Sequence, residues 1–184
     1  MSGANVETEV GLGMVPRIVE RDDIAIGFST VRKNPISALI RWATGAKVSH
    51  VWLLVRLFGV LTVIEASEKG FIPSMSYARF AKKNDVVSIV VLEHDMHVGL
   101  AWAAQHFGER YDAAGLFGMI WVLVGSVFHR RWKNPLDDRK ALFCSEAIAE
   151  ILKRSSYPGA EAFVPEETTP EQLMKFFDKP TVDV

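Results

Sequence analysis

Cysteine is almost missing from this chain: Cys144 is the only one in 184 residues. A single thiol excludes a disulfide within the chain, which agrees with a reducing compartment. An excess of one charge is missing too, with 21 Lys and Arg against 22 Asp and Glu and a formal net charge of −1. The pairs Lys82-Lys83 and Arg130-Arg131 are too short to form a phosphate-binding stripe, so no nucleic-acid partner is expected. Long apolar runs are scarce. The longest, Ala113 to Phe128, covers about 16 residues and contains Gly115, Gly118 and Gly125, whereas a spanning helix needs roughly 20. We read it as a buried or interfacial helix, with membrane or protein contact through 113–128 as the secondary reading. Met1 to Glu9 has neither a basic start nor an apolar run, so no signal peptide or lipoprotein anchor is expected, and the expected location is cytoplasmic or virion-associated. Gly11-Leu12-Gly13 lacks the Lys and helix that would make it a phosphate loop. No cofactor is expected.

What the chain does have is apolar residues, 49% of the total, enough for one compact domain with a sizeable core. Residues 1–20 are Gly-rich and weakly patterned and read as an N-terminal arm; 21–184 read as the domain. Asp23 to Phe28 alternates loosely, as a first strand. Pro35 suits the first turn of a helix running through Arg41-Trp42. Val48–Phe58 and Val60–Ala66, rich in β-branched and large apolar residues, predict a hairpin turning at Gly59. Val86–Leu92 is nearly continuous Val and Ile and predicts a strand buried on both faces. Asp95 is positioned to cap a helix over 96–107 with Leu100, Ala101, Ala104 and Phe107 inward and Gly108 as its stop. Tyr157-Pro158-Gly159 is a turn, and Thr169-Pro170 a helix start with Thr as N-cap. Helices around a small, mostly antiparallel sheet make an α+β pattern.

The chemistry gathers at Phe143-Cys144-Ser145-Glu146. Ile148, Ile151 and Leu152 recur at helical spacing, so Cys144 stands at or beside a helix N-terminus. Unpaired N–H groups and the positive end of the helix dipole there favour a thiolate, the form that attacks. A base is needed, and His50 heads the first hairpin strand. Glu65, inside Val63-Ile64-Glu65-Ala66, is a carboxylate in an apolar run, which is costly without a partner. If the hairpin turns near Gly59, Glu65 approaches His50. Taken singly, each residue has an ordinary explanation: an inert buried thiol, a structural histidine, a carboxylate at a strand end.

Taken in order, Ser49-His50-Val51, Ile64-Glu65-Ala66, Tyr111-Asp112, Phe143-Cys144-Ser145-Glu146 and Thr169-Pro170-Glu171-Gln172-Leu173 resemble the circularly permuted NlpC-type branch of papain-like cysteine hydrolases, which includes the YiiX- and YaeF-like proteins and, distantly, the lecithin:retinol acyltransferases. In that branch the histidine precedes the cysteine, as here. The resemblance implies a permuted papain-like fold with Cys144 as nucleophile, His50 as base and Glu65 as orienting residue. It implies that Tyr111 lines the cleft, with Ser49 and Ser145 beside the substrate and the Cys144 backbone N–H at the oxyanion. Trp52, where the family usually has a small residue, is expected to narrow the pocket. The implied activity is hydrolysis of an amide or peptide, with cell-wall peptides first. An acyltransferase or thioesterase acting on lipid-type substrates comes second. A different class is a non-catalytic papain-like module in a larger assembly such as a phage tail.

A rival cluster is His94, Asp95 and His97, with His106 further on. Two histidines on one helical face can bind a metal, but polar residues capping a helix explain them as well, and no metal is expected. His129-Arg130-Arg131-Trp132-Lys133 reads as a solvated loop closing the apolar helix.

Overall fold

The computed structural model describes residues 24–31, 41, 46–67, 70–108 and 144–178. The expected N-terminal arm, the helix begun by Pro35, Tyr111, the 113–128 helix and the basic loop after it lie outside the described residues. Five strands form one antiparallel sheet: β1 (Ile24–Val31), β2 (His50–Leu57), β3 (Val60–Ser67), β4 (Gly70–Ser76) and β5 (Asn84–Leu92), in the order β4-β3-β2-β1-β5. Four helices accompany them among the described residues: α1 (Tyr77–Lys83), α2 (His97–Gln105), α3 (Cys144–Arg154) and α4 (Pro170–Phe177). The class is α+β, as the sequence predicts.

The predicted hairpin is β2–β3. It turns through Phe58 and Gly59, with φ of 51° and 79°. Positive φ at both central residues is what a tight two-residue hairpin turn requires, and Gly59 supplies one at no steric cost. The turn sets the register, pairing Leu57 with Val60 and Leu53 with Ile64.

Each face of the sheet has its own core. On one, Ile26, Phe28, Val51, Leu53 and Ile64 meet Ile148, Ile151 and Leu152 of α3 and Leu173 and Phe177 of α4. The apolar stripe predicted for the cysteine helix is therefore the one it buries. On the other, Ala25, Trp52, Leu54 and Val63 are covered by Tyr77 and Phe80 of α1. At the start of α4 the Thr169 side chain accepts from the Gln172 N–H while the Gln172 side chain accepts from the Thr169 N–H, a reciprocal cap at the predicted place.

Three expectations change. First, β5 stands at the edge of the sheet among the described residues and is not buried on both faces: Asp85 and Val87 are exposed. Phe28 pairs with Ser88 and Ser29 with Val86, so Val87 is the unpaired residue of a bulge. Second, α2 turns Gly99 and Ala103 inward and leaves Ala101, Ala104 and Phe107 exposed. Small residues at i and i+4 let α2 approach α3 so closely that a Cβ on Gly99 would lie 2.2 Å from the Ile151 carbonyl oxygen. Third, β4 and α1 have no counterpart in the sequence reading. Pro73 interrupts the strand pattern of β4, and α1 is only two turns long.

Because the obstacle at Gly99 is backbone, Gly99→Ala forces α2 and α3 apart. We expect a loss of about 1–3 kcal/mol, read from the denaturant midpoint. Val98→Ala, at a position 64% exposed on the same helix, is expected to stay within about 0.5 kcal/mol of the parent.

Candidate active site

His50 is the first residue of β2 and Glu65 lies near the end of β3. The register Leu53↔Ile64, carried one residue further, sets Glu65 across from Trp52. His50 is then its diagonal neighbour on the same face, within reach of a long side chain. The contact is made: His50 Nε2–H donates to Glu65 Oε2 at 2.7 Å, with the two side chains only 12% and 9% exposed. A carboxylate this deep is costly alone. It is also held from its other oxygen, where Ser74 Oγ–H donates to Oε1 at 2.6 Å.

Cys144 opens α3 and is buried. With Nε2 engaged by Glu65, the other ring nitrogen of His50 is left to serve the thiol, and each of Cys144 and His50 shifts the titration of the other. Burial by itself pulls the imidazole toward its neutral form. Hydrogen bonds and charge from Cys144 and Glu65 outweigh it and raise the His50 pKa from 6.5 to about 10. Burial would likewise push the Cys144 thiol up. The hydrogen bond and charge of His50, with backbone hydrogen bonds from Val51 and Ser145, hold it below its ordinary 9.0. His50 therefore carries its proton near neutral pH, and its charge draws Cys144 toward the thiolate at the end of a helix that favours negative charge.

No family model, curated protein or solved structure matches this chain.

The three predicted catalytic residues come together. Ser145 is buried directly after Cys144, and Ser49 is half-buried with its N–H bonded to the Ser29 carbonyl. Trp52 departs from its expected place at the pocket. It is fully buried, its ring 4.8 Å from Phe80 and 5.9 Å from Tyr77 between centroids, its Nε1–H donating to Ser29 Oγ at 3.1 Å. The reason lies across the strand pair. Gly27 is its partner on β1, and a Cβ there would fall 2.2 Å from the indole, so the ring occupies the space a side chain would take. Phe80 also packs near His50, 6.4 Å between ring centroids. Trp52 and Phe80 thus support the histidine from the core.

The rival histidine cluster is engaged otherwise. His94 Nε2–H donates to the Ser155 carbonyl at 2.8 Å, His97 pairs with Asp95, and His106 Nδ1–H donates to the Trp102 carbonyl at 2.7 Å. Among the described residues no three His, Cys, Asp or Glu side chains are grouped to hold a metal ion. The N-cap of α2 is Met96, not Asp95; Asp95, one residue before it, accepts from the His97 N–H at 2.9 Å, which holds its carboxyl below the usual range. Two contributors escaped the sequence reading. Ser74 sits on a strand that Pro73 disguises, and the Val51 N–H is a backbone group without a side-chain signature.

A depressed Cys144 reacts at a pH where an ordinary thiol is protonated. Iodoacetamide is expected to alkylate Cys144 at pH 6 faster than a free thiol. His50→Ala removes the cation while burial remains, so the titration midpoint moves up and the rate at pH 6 falls by about tenfold or more. Equal rates in the two proteins would break the pair.

Proposed function

We propose that this protein is a cysteine-dependent hydrolase of amide bonds in peptides, acting through Cys144, His50 and Glu65 in a permuted papain-like fold. One observation carries the reading: His50 is hydrogen-bonded to a buried carboxylate and draws down the pKa of a thiol at the head of a helix. A nucleophile, a base and a group that orients the base are the parts acyl transfer needs.

The steps follow from those parts. The Cys144 thiolate attacks the carbonyl carbon, a C–S bond forms, and the carbonyl π electrons move to oxygen. That oxyanion is stabilised by N–H groups at the start of α3. The imidazolium of His50 gives its proton to the departing nitrogen as the C–N bond breaks, leaving a thioester on Cys144. Water then attacks, His50 takes its proton, the C–S bond breaks, and the acid leaves with the thiolate restored. Glu65 keeps its charge throughout and holds the ring.

The amide class, with cell-wall peptides first, rests on the resemblance of the ordered motifs. The apolar run at 113–128 supports lipid-type esters or amides as the second substrate class, taken by an acyltransferase or thioesterase. A binding module without activity, carried in a larger assembly such as a phage tail, has no need of a thiol, a base and a carboxylate gathered at one buried point. Among the described residues, no helix is long and apolar enough to cross a membrane.

Incubation with peptidoglycan fragments and, separately, with short-chain acyl esters tests both substrate classes. We expect release of an amine from the first, a transient mass increase on Cys144, no turnover by Cys144→Ala, and a loss of roughly 10²- to 10⁴-fold in His50→Ala. Turnover of neither substrate would sink the hydrolase and favour the binding module.

A further inference from the structure

β4 is an outer strand of the sheet, and its pairing with β3 breaks register once: Val63 pairs with Met75, but Ile64 pairs with Pro73. Ser74 is the residue left over. Two residues, Ser74 and Met75, thus stand against Val63, which shares a sheet face with Glu65. In an unbroken register from Val63↔Met75, Ser74 would stand opposite Ile64 and face the other way, since one step along a strand reverses the face. Bulges are known for re-aiming a side chain beside a site. Pro73 fits this place, because proline lacks an N–H and within sheets is confined to edges and bulges.

The side chain so turned meets Glu65. Ser74 Oγ–H donates to Oε1 at 2.6 Å while His50 Nε2–H donates to Oε2 at 2.7 Å. Both bonds are charge-assisted and short. With a donor on each oxygen, the carboxylate cannot rotate about its last torsion without giving up a bond. β4 thus takes part in holding its plane, and with it the direction in which it holds the imidazole.

We propose that Ser74 is a positioning residue of the cysteine site, acting through Glu65 to keep His50 aimed at Cys144, and that the bulge in β4 is what delivers it. The proposal rests on the catalytic reading of Cys144, His50 and Glu65. Ser74 touches neither substrate nor sulfur in this role. Its loss removes one of the bonds that hold the carboxylate plane, and the ring then spends less time in line with the thiol.

The test uses the full chain and iodoacetamide, with the pH profile of Cys144 alkylation as readout. Ser74→Ala is expected to move the midpoint toward that of an ordinary thiol and to slow alkylation at pH 6 by about three- to tenfold, part of the effect of removing a hydrogen bond to a charged group. Ser74→Thr keeps the hydroxyl and restores the profile, while Ser74→Val, of the same size, does not; this pair decides the matter if the alanine variant folds poorly. In a Glu65→Ala background, Ser74→Ala is expected to change nothing further, because coupled residues do not add. Parent-like profiles in Ser74→Ala and Ser74→Val, beside a slow His50→Ala, would overturn the role of Ser74 and leave the site standing. A full additional loss in the Glu65→Ala background would also overturn it. A parent-like His50→Ala would overturn the catalytic reading itself.

Discussion

The hydrogen bond from His50 Nε2–H to Glu65 Oε2 joins two strands at a point nearly closed to water. Neither partner would be tolerated there without the other. A lone buried carboxylate would take up a proton, and a lone buried imidazole would give one up. Cys144, drawn toward the thiolate, adds a second acidic group beside the one cation. The two acidic groups also meet donors from separate parts of the fold: Ser74 Oγ–H on Glu65, and the backbone N–H groups of Val51 and Ser145 on Cys144. Remove the hairpin register, the bulge in β4 or the start of α3, and one of the charges is left unanswered.

Packing remote from the sulfur serves the same end. Gly99 and Ala103 bring α2 against α3, and the Gly99 N–H donates to Ser155 Oγ just past the end of α3 at 3.0 Å. The helix that carries Cys144 at its head is thereby tied at its tail. On the opposite face, Trp52 lies over Gly27 and beside Phe80, which in turn flanks the imidazole. Two cores, one on each side of the sheet, converge on Cys144, His50 and Glu65.

Much of this was legible in the residues. The hairpin could be read because β-branched runs flank a glycine, the cysteine helix because its apolar residues recur at helical spacing, and the start of α4 because Thr169-Pro170 is a strong local signal. Glu65 drew notice by being a charge inside an apolar run. Where reading failed, the deciding contact was distant. A run of Val and Ile is the same string whether the strand is central or at an edge, so β5 read as buried. The inward face of α2 depended on how closely α3 could approach Gly99. Trp52 beside a histidine suggested a pocket wall until Gly27, on another strand, proved to make room for it. Ser74 carries no local mark of its partner nine positions away.

By itself the sequence determined the residue types and their order: a histidine heading a strand, a carboxylate on the next, a lone thiol at a helix start. Spacing along one chain is enough for that, because helix and strand periods act over a few residues. Tertiary structure alone decided that Glu65 reaches His50 diagonally, that a bulge turns Ser74 onto the same carboxylate, and that the charges of thiol and imidazole, brought together, outweigh the burial that opposes them. Those outcomes depend on register and desolvation, which arise only when strands pair and water is excluded, and no local pattern encodes either.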